Sequence, residues 1–319
     1  GQIEAGIGGG SDTTSDVPIA VSKKLRRRLL DLNRARSLGE RIKAALKGFS
    51  LGELKPEFPG VAEPRTGKSM GESCEDMAKQ WQIRREDQDL LAYESHQKAA
   101  AAYARGFYSD LVMPLRGLDK DNILRPDTSL EKLATLKPAF DKRSGNGTLT
   151  AGNSTNLSDG ASAALLSSEA WAQANGKEIQ AYLVDAQVAA VDFVAGEGLL
   201  MAPAWAVAQL LKRNNLKLQD FDFYEIHEAF AAQVLCTLKA WESEEFCKTK
   251  LGMDGALGSI DRSKLNVVGS SLALGHPFAA TGARIVATAA KLLKEKGQGR
   301  VLISICTAGG MGVAAIVER

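Results

Sequence analysis

Three features of this 319-residue sequence predict a layered α/β fold. From Thr148 onward, short apolar runs alternate with helical repeats, the order expected of strands and helices sharing one core. The strand-like runs are apolar throughout, as in strands covered on both faces. The chain then closes on two apolar runs, 301–305 and 312–317, joined by the glycine turn at Gly309-Gly310, which reads as a strand pair.

The elements follow in order. The opening Gln2-Ile3-Glu4-Ala5-Gly6-Ile7-Gly8-Gly9-Gly10 reads as a short buried strand running into a glycine turn. It is an unusual start for a domain, and it has no initiator Met; the expectation is a chain that lacks its natural beginning. Residues 18–140 are polar and punctuated by Pro56, Pro59, Pro64, Pro114, Pro126 and Pro138. They hold two helical patterns, 70–81 and 85–105, the second with Leu90, Leu91, Tyr93 and Ala101 as its apolar side. Helices joined by extended loops suit a lid inserted into a larger domain. Beyond it, strands are predicted at 148–151, 181–191 and 221–226. Helices are predicted at 161–166, 203–213, 228–241 and 281–294.

Bulk properties exclude several classes. Forty basic against 38 acidic residues give a net charge of +2, so no global field favours a polyanion. No apolar run reaches the roughly 18 residues that a membrane span requires. The four cysteines, Cys74, Cys236, Cys247 and Cys306, form no CxxC pair, which favours a reducing, intracellular setting and no metal site. Residues 21–50 stand apart, with ten Lys/Arg against two acids, a local excess of eight positive charges. This stretch is either a solvated face or a contact for ligand phosphates, an anionic membrane or an acidic partner. No aromatic residues are interleaved for base stacking, so nucleic acid is not the expected partner.

Three segments carry chemistry. His276 lies between Gly275 and Pro277 ahead of a helix, a rigid setting for an imidazole that takes a proton or polarises a carbonyl. Cys306 ends an apolar strand beside a glycine-rich turn, where a thiol meets backbone N–H groups. His227-Glu228 opens a helix after a strand and can offer a donor to a developing oxyanion. Each residue also has a plain structural reading: a loop histidine bonded to backbone, a small buried hydrophobe, a helix cap. Cys236 and Cys247 read as core residues and His96 as a surface residue. Cys74 sits among Glu72, Glu75 and Asp76, acids that raise a thiol pKa.

Taken together, His227-Glu228-Ala229-Phe230, Gly275-His276-Pro277 with Ala280-Thr281-Gly282-Ala283-Arg284, and Cys306-Thr307-Ala308-Gly309-Gly310 resemble the three C-terminal motifs of thiolases. The upstream 150–155 and 159–161 segments match in order and spacing, and the resemblance covers essentially the whole chain. His227, where many thiolases carry Asn, makes it most similar to the fatty-acid-oxidation type, the bacterial 3-ketoacyl-CoA thiolases and the trifunctional protein β subunit. The resemblance implies a five-layered αβαβα fold. Its parts would be a core remnant at 1–17, a loop domain covering coenzyme A at 18–140, the end of the N-terminal core at 141–170 and a C-terminal core at 171–319.

The implied reaction is thiolytic cleavage of 3-ketoacyl-CoA to acetyl-CoA and a shortened acyl-CoA, and its reverse. His276 would activate a nucleophilic cysteine and Cys306 would shuttle a proton. His227 and the backbone N–H of Ala308 would serve the oxyanions. Ser154, Thr155, Phe230 and Gly309 would contact the acyl-CoA. Coenzyme A would be a substrate, with no permanent cofactor. Implied partners are a second copy in a homodimer and a hydratase/dehydrogenase subunit. The location would be the bacterial cytoplasm, or mitochondria in a eukaryote. The family's nucleophilic cysteine lies upstream of the strand that matches residues 2–10. The 319 residues alone are therefore expected to be inactive, and a non-catalytic acyl-CoA or lipid-binding protein is the rival reading.

Overall fold

The computed structural model describes residues 2–319, which form two compact units, 13–61 and the remainder. In chain order the elements are β1 (Ala5–Asp12), β2 (Ala20–Val21), α1 (Lys23–Arg34), α2 (Leu38–Leu46), β3 (Pro56–Glu57), α3 (Met70–Gln80), α4 (Arg85–Ala104) and α5 (Leu130–Ala134). They continue with β4 (Gly160–Ser167), α6 (Glu169–Ala174), β5 (Tyr182–Ala190), α7 (Ala202–Asn214), β6 (Phe223–Ile226), α8 (Ala231–Glu242) and α9 (Glu244–Thr249). The last are α10 (Ser271–Leu274), α11 (Thr281–Lys296), β7 (Arg300–Thr307) and β8 (Met311–Glu318).

The larger unit is built on a four-stranded sheet in the order β5-β8-β7-β6. β6 runs parallel to β7, and β8 is antiparallel to both β7 and β5. Side chains alternate across a strand, so Leu302, Ser304 and Cys306 share one face of β7. Leu302 and Cys306 pack there in the main core with residues of α3, α7 and α8, including the fully buried Trp241. Val301 and Ile303 point the other way, onto Ile285, Ala289 and Leu293 of α11. α11 also packs against the β1–β4 ribbon, so it lies between two sheets. The layered α/β core predicted from the βα alternation is therefore present.

Several elements differ from expectation. Residues 161–166, expected as a helix, belong to β4, which pairs with β1 from Ala5↔Ser167 to Asp12↔Gly160. Small residues with weak local preference yield here to the available edge of β1. The glycines of β1 form no turn; they lie within the strand because its neighbours come close. A Cβ on Gly9 would stand 2.3 Å from Ser162 O and one on Gly10 2.4 Å from Ala279 O. Nor is the strand buried, since Ile7 is 77% exposed. The 148–151 strand reduces to a single bridge between Thr150 and Pro138. The helix expected from 228 starts at Ala231.

α4 buries a different stripe from the one expected. Gln88, Asp89, Leu91, Ala92, Ser95, His96, Ala99 and Ala102 face inward, whereas Leu90 is exposed. The polar members are tolerated because they have partners. Gln88 donates to Thr148 Oγ1 (3.0 Å), Asp89 accepts from Arg85 (2.7 Å) and Asn153 (2.9 Å), and Ser95 donates to Glu228 (2.7 Å).

In the smaller unit, α1 and α2 pack as a hairpin beside the short β2–β3 pair. Arg28 has a structural role there. It pairs with Glu53 through two 2.9 Å bonds and donates to the carbonyls of Ala44 (2.8 Å), Ala45 (3.0 Å) and Lys47 (3.0 Å), closing the end of α2.

A tight contact holds the sheet against α7 where the site forms. A Cβ on Gly312 would lie 2.5 Å from Pro203 N and 2.8 Å from Ala202 C, backbone that cannot turn aside. Gly312→Ala is expected to lower stability by about 1–3 kcal/mol, read as the shift in urea midpoint. A change within error would show that β8 and the start of α7 separate freely.

Candidate active site

Parallel pairing brings the carboxyl ends of β6 and β7 to one end of the sheet. His227 follows β6 directly and donates its backbone N–H to Ser304 O (2.9 Å), extending the ladder by one bond. Cys306 lies two residues beyond Ser304, opposite Gly312. His227 and Cys306 thus leave adjacent strands at the same end of the sheet.

His276 reaches the site from α10. Gly275 takes φ +84°, and a Cβ there would lie 2.4 Å from Ser158 Oγ, so only glycine fits. The His276 backbone N–H donates to Asn156 O (3.2 Å) and Ser158 Oγ (3.3 Å). Its ring centroid then stands 4.3 Å from that of His227, with Phe278 edge-on at 5.0 Å.

Each imidazole is held through Nδ1. His276 Nδ1 bonds Thr281 Oγ1 (2.7 Å), and His227 Nδ1 bonds Ser271 Oγ (2.7 Å), which also accepts from Arg284 Nη2 (2.7 Å). His227 is 1% exposed, and its Nε2 has no hydrogen-bond partner in the fold. Burial, aided by the Arg284 guanidinium, pushes the His276 pKa down to about 4. Burial, then the neighbouring His276 and Arg284, takes His227 well below the usual imidazole range. Both rings are therefore neutral near pH 7, and the Nε2 of His227 is a nitrogen that the scaffold does not engage. Cys306 is 6% exposed, and burial pushes its thiol up to about 12. It rests as a thiol, a proton donor rather than a ready nucleophile.

The other expected site residues lie on segments next to His227 and Cys306 in the chain or bonded to them. Residues 153–155 run beside 229–231: Thr155 N donates to Ala229 O (3.1 Å), Ala231 N to Asn153 O (3.0 Å), and Ser154 bridges Phe230. Thr155 Oγ1 donates to Ser271 O (2.8 Å), and the Phe230 ring meets Phe140 edge-on at 5.7 Å. Ala308 and Gly309 form the exposed turn after Cys306, with Gly309 at φ +75°. Below the histidines, Glu228 accepts from Ser95 Oγ (2.7 Å), Asn266 Nδ2 (2.6 Å) and Leu272 N (3.2 Å). A cavity of about 210 Å³ touches Ser154, Asn156 and Leu272 and is walled by His96 and Arg125; neither catalytic-type histidine nor Cys306 lines it.

Two sequence readings change. His96 is 7% exposed, its Nδ1 accepting from Arg125 N (3.2 Å), because it lies on the buried stripe of α4. Cys74 is buried in the main core; its thiol is raised first by burial, then by Cys236 and Cys306, and only after them by Glu75. Cys236 and Cys247 are core residues, as read, and all four cysteines are free. Sequence reasoning assigned nothing to Ser271, Thr281 or Arg284. The i, i+3 spacing of Thr281 and Arg284 on one helix was the available signal, since it puts both on one face.

Comparison with known proteins agrees with this geometry. Residues 1–170 match the thiolase N-terminal domain and residues 177–319 the thiolase C-terminal domain. Proteins named 3-ketoacyl-CoA thiolase from Shewanella loihica and Shewanella sediminis are 46% identical over 324 residues, covering 100% of this chain and 73% of each relative. Human mitochondrial 3-ketoacyl-CoA thiolase, solved in complex with CoA, superposes with a TM-score of 0.77 at 28% identity, covering 99% of this chain and 71% of that one. The acetyl-CoA acetyltransferase of Bacillus anthracis superposes with a TM-score of 0.75 at 32% identity, covering 99% and 72%. The fold built around the His227–His276 pair is that of these enzymes, and the chain belongs to the thiolase family.

Proposed function

We propose that these residues supply the acid–base and oxyanion parts of a 3-ketoacyl-CoA thiolase site of fatty-acid β-oxidation. The reaction cleaves a 3-ketoacyl-CoA with coenzyme A into acetyl-CoA and a shortened acyl-CoA, and runs in reverse as a condensation. The observation that carries this reading is the contact of two neutral imidazoles, rings 4.3 Å apart, each held through Nδ1. His276 Nε2 takes the proton of an attacking cysteine thiol. The Cys306 thiol gives its proton to the acetyl carbanion that leaves when the Cα–Cβ bond breaks, and recovers one from the incoming coenzyme A thiol. His227 and the Ala308 N–H hold the oxyanions. Ser154, Thr155, Phe230 and Gly309 contact the acyl-CoA, and residues 18–140 form the domain that covers it. A homodimer and a hydratase/dehydrogenase subunit are the assigned protein partners, in the bacterial cytoplasm or in mitochondria.

Within the 319 residues no cysteine is suited to accept the acyl group. Cys74, Cys236 and Cys247 are side chains of the core, and Cys306 is committed to proton transfer. We therefore assign no thiolytic turnover to these residues by themselves. The second reading is a non-catalytic acyl-CoA binder.

A partial reaction separates the two. Exchange of the methyl protons of acetyl-CoA with deuterated water needs the Cys306 thiolate, formed when the thiol loses its proton to solvent, to take a methyl proton and return a deuteron, and it needs the oxyanion donors but no acyl acceptor. The 319-residue chain is expected to catalyse this exchange while leaving acetoacetyl-CoA intact. His227→Ala or Cys306→Ala should each lower the exchange rate by about 10²-fold or more. Exchange at the background rate would leave only the binding role. Cleavage of acetoacetyl-CoA would overturn the assignment of the cysteines.

A further inference from the structure

We infer that Arg284, acting through Ser271, is a positioning residue that fixes His227 in the Nε2–H tautomer. The site nitrogen of His227 is then a hydrogen-bond donor and not an acceptor. The argument is an inventory of donors and acceptors around one hydroxyl. Ser271 Oγ makes two hydrogen bonds, with Arg284 Nη2 (2.7 Å) and with His227 Nδ1 (2.7 Å). A guanidinium only donates, so the first bond occupies a lone pair of Ser271 Oγ. The hydroxyl keeps one proton to give, and among the described residues its one remaining hydrogen-bond partner is His227 Nδ1. If Nδ1 carried a proton, that buried hydroxyl would accept twice and leave its own proton without an acceptor, at a site where Ser271 is fully buried. Ser271 therefore donates, Nδ1 accepts, and the ring proton is on Nε2.

The scaffold is well suited to hold this chain of bonds. The Ser271 carbonyl accepts from Thr155 Oγ1 (2.8 Å) and from Gly275 N (2.8 Å), so the residue carrying the hydroxyl has little freedom to turn. Arg284 Nη1 also reaches Ser270 Oγ (3.4 Å), which orients the guanidinium along α10. His227 Nε2 is left buried and without a partner. Carrying hydrogen, it stabilises negative charge developing on a carbonyl or on a water held by it; as a bare lone pair it would repel that charge. The consequence for catalysis rests on the thiolase reading of the site, whereas the tautomer does not.

The chain has three histidines, so its ring nitrogens can be resolved by long-range proton–nitrogen correlation NMR on the ¹⁵N-histidine-labelled 319-residue chain. Protonated and bare ring nitrogens resonate far apart. The expected spectrum shows His227 with Nε2 protonated and Nδ1 bare. Arg284→Met removes the donor while keeping much of the side-chain volume, freeing Ser271 to accept, and should move proton occupancy toward Nδ1. Arg284→Lys, which still donates, should restore the native pattern. Ser271→Ala should also lose the Nε2–H preference, and unchanged His96 signals report that each variant is folded. A wild-type spectrum with Nδ1 protonated overturns the inference. So does an unchanged His227 in folded Arg284→Met or Ser271→Ala. A correct tautomer in a chain that fails to exchange acetyl-CoA protons would count against the functional reading alone.

Discussion

Glu228→Ala is expected to cost about 3–5 kcal/mol of stability, the largest loss from any single truncation around the site. The carboxylate is buried and accepts three hydrogen bonds from three separate elements: Ser95 of α4, Leu272 of α10 and Asn266 in the connection before it. Asn266 is itself held at φ +45°, with Oδ1 accepting from Ile226 N and Nδ2 donating to Ile226 O, each at 2.9 Å. Truncation strands these donors away from water, and the penalty for an unmade buried bond exceeds the net gain from making one. Against a typical total of 5–15 kcal/mol, the variant is expected to be near its unfolding transition at ambient temperature. Glu228→Gln keeps one acceptor oxygen but turns an NH₂ toward other donors, so its loss should be about half as large. Urea unfolding followed by circular dichroism measures both, and a loss below about 1 kcal/mol for the alanine variant would show that the three elements are held by other means.

This hub explains what was and was not legible in the sequence. Chain-local signals carried through in part: the glycine ahead of His276 and the closing strand pair are present, with β7 running past Cys306 to Thr307, and the strand–helix alternation holds from β5 onward. What escaped were interactions between segments distant in sequence. The 160–167 segment looks helical by composition and is a strand because β1 is there to pair with it. The buried stripe of α4 is only partly legible in its own sequence, because Asp89 and Ser95 are acceptable in a core only when Asn153 and Glu228 stand opposite them. Arg284 stood in a recognisable motif, yet nothing local to it indicates that its guanidinium meets the hydroxyl of Ser271 thirteen residues earlier.

Glu225→Gln is expected to stabilise the protein at pH 8 by about 4 kcal/mol while leaving it nearly unchanged at pH 5. Glu225 is 0% exposed in the middle of β6, and neither carboxylate oxygen has a hydrogen-bond partner. Burial pushes its pKa up from 4.5 to about 8, with the Arg284 charge opposing that shift and Glu228 adding to it. In the unfolded chain the group loses its proton near pH 4.5, whereas the folded protein retains it. Between those values the native state binds more protons, so stability falls as pH rises, by about 1.4 kcal/mol per unit for one such group, until the folded carboxyl ionises near pH 8. The three depressed histidines, His96, His227 and His276, act with opposite sign. They are protonated in the unfolded chain below about pH 6.5 but neutral when folded, so they make stability rise with pH up to that value. They cancel in the difference between wild type and variant at each pH. Glu228, also raised by burial, is common to both proteins as well. The comparison is therefore between two differences, each taken by urea unfolding at one pH. A stabilisation of equal size at pH 5 and pH 8 would mean that Glu225 does not hold its proton in the fold. The predicted inequality would mean that the protein keeps a neutral carboxyl beside Arg284, so that the guanidinium charge remains directed toward Ser271 and the two imidazoles.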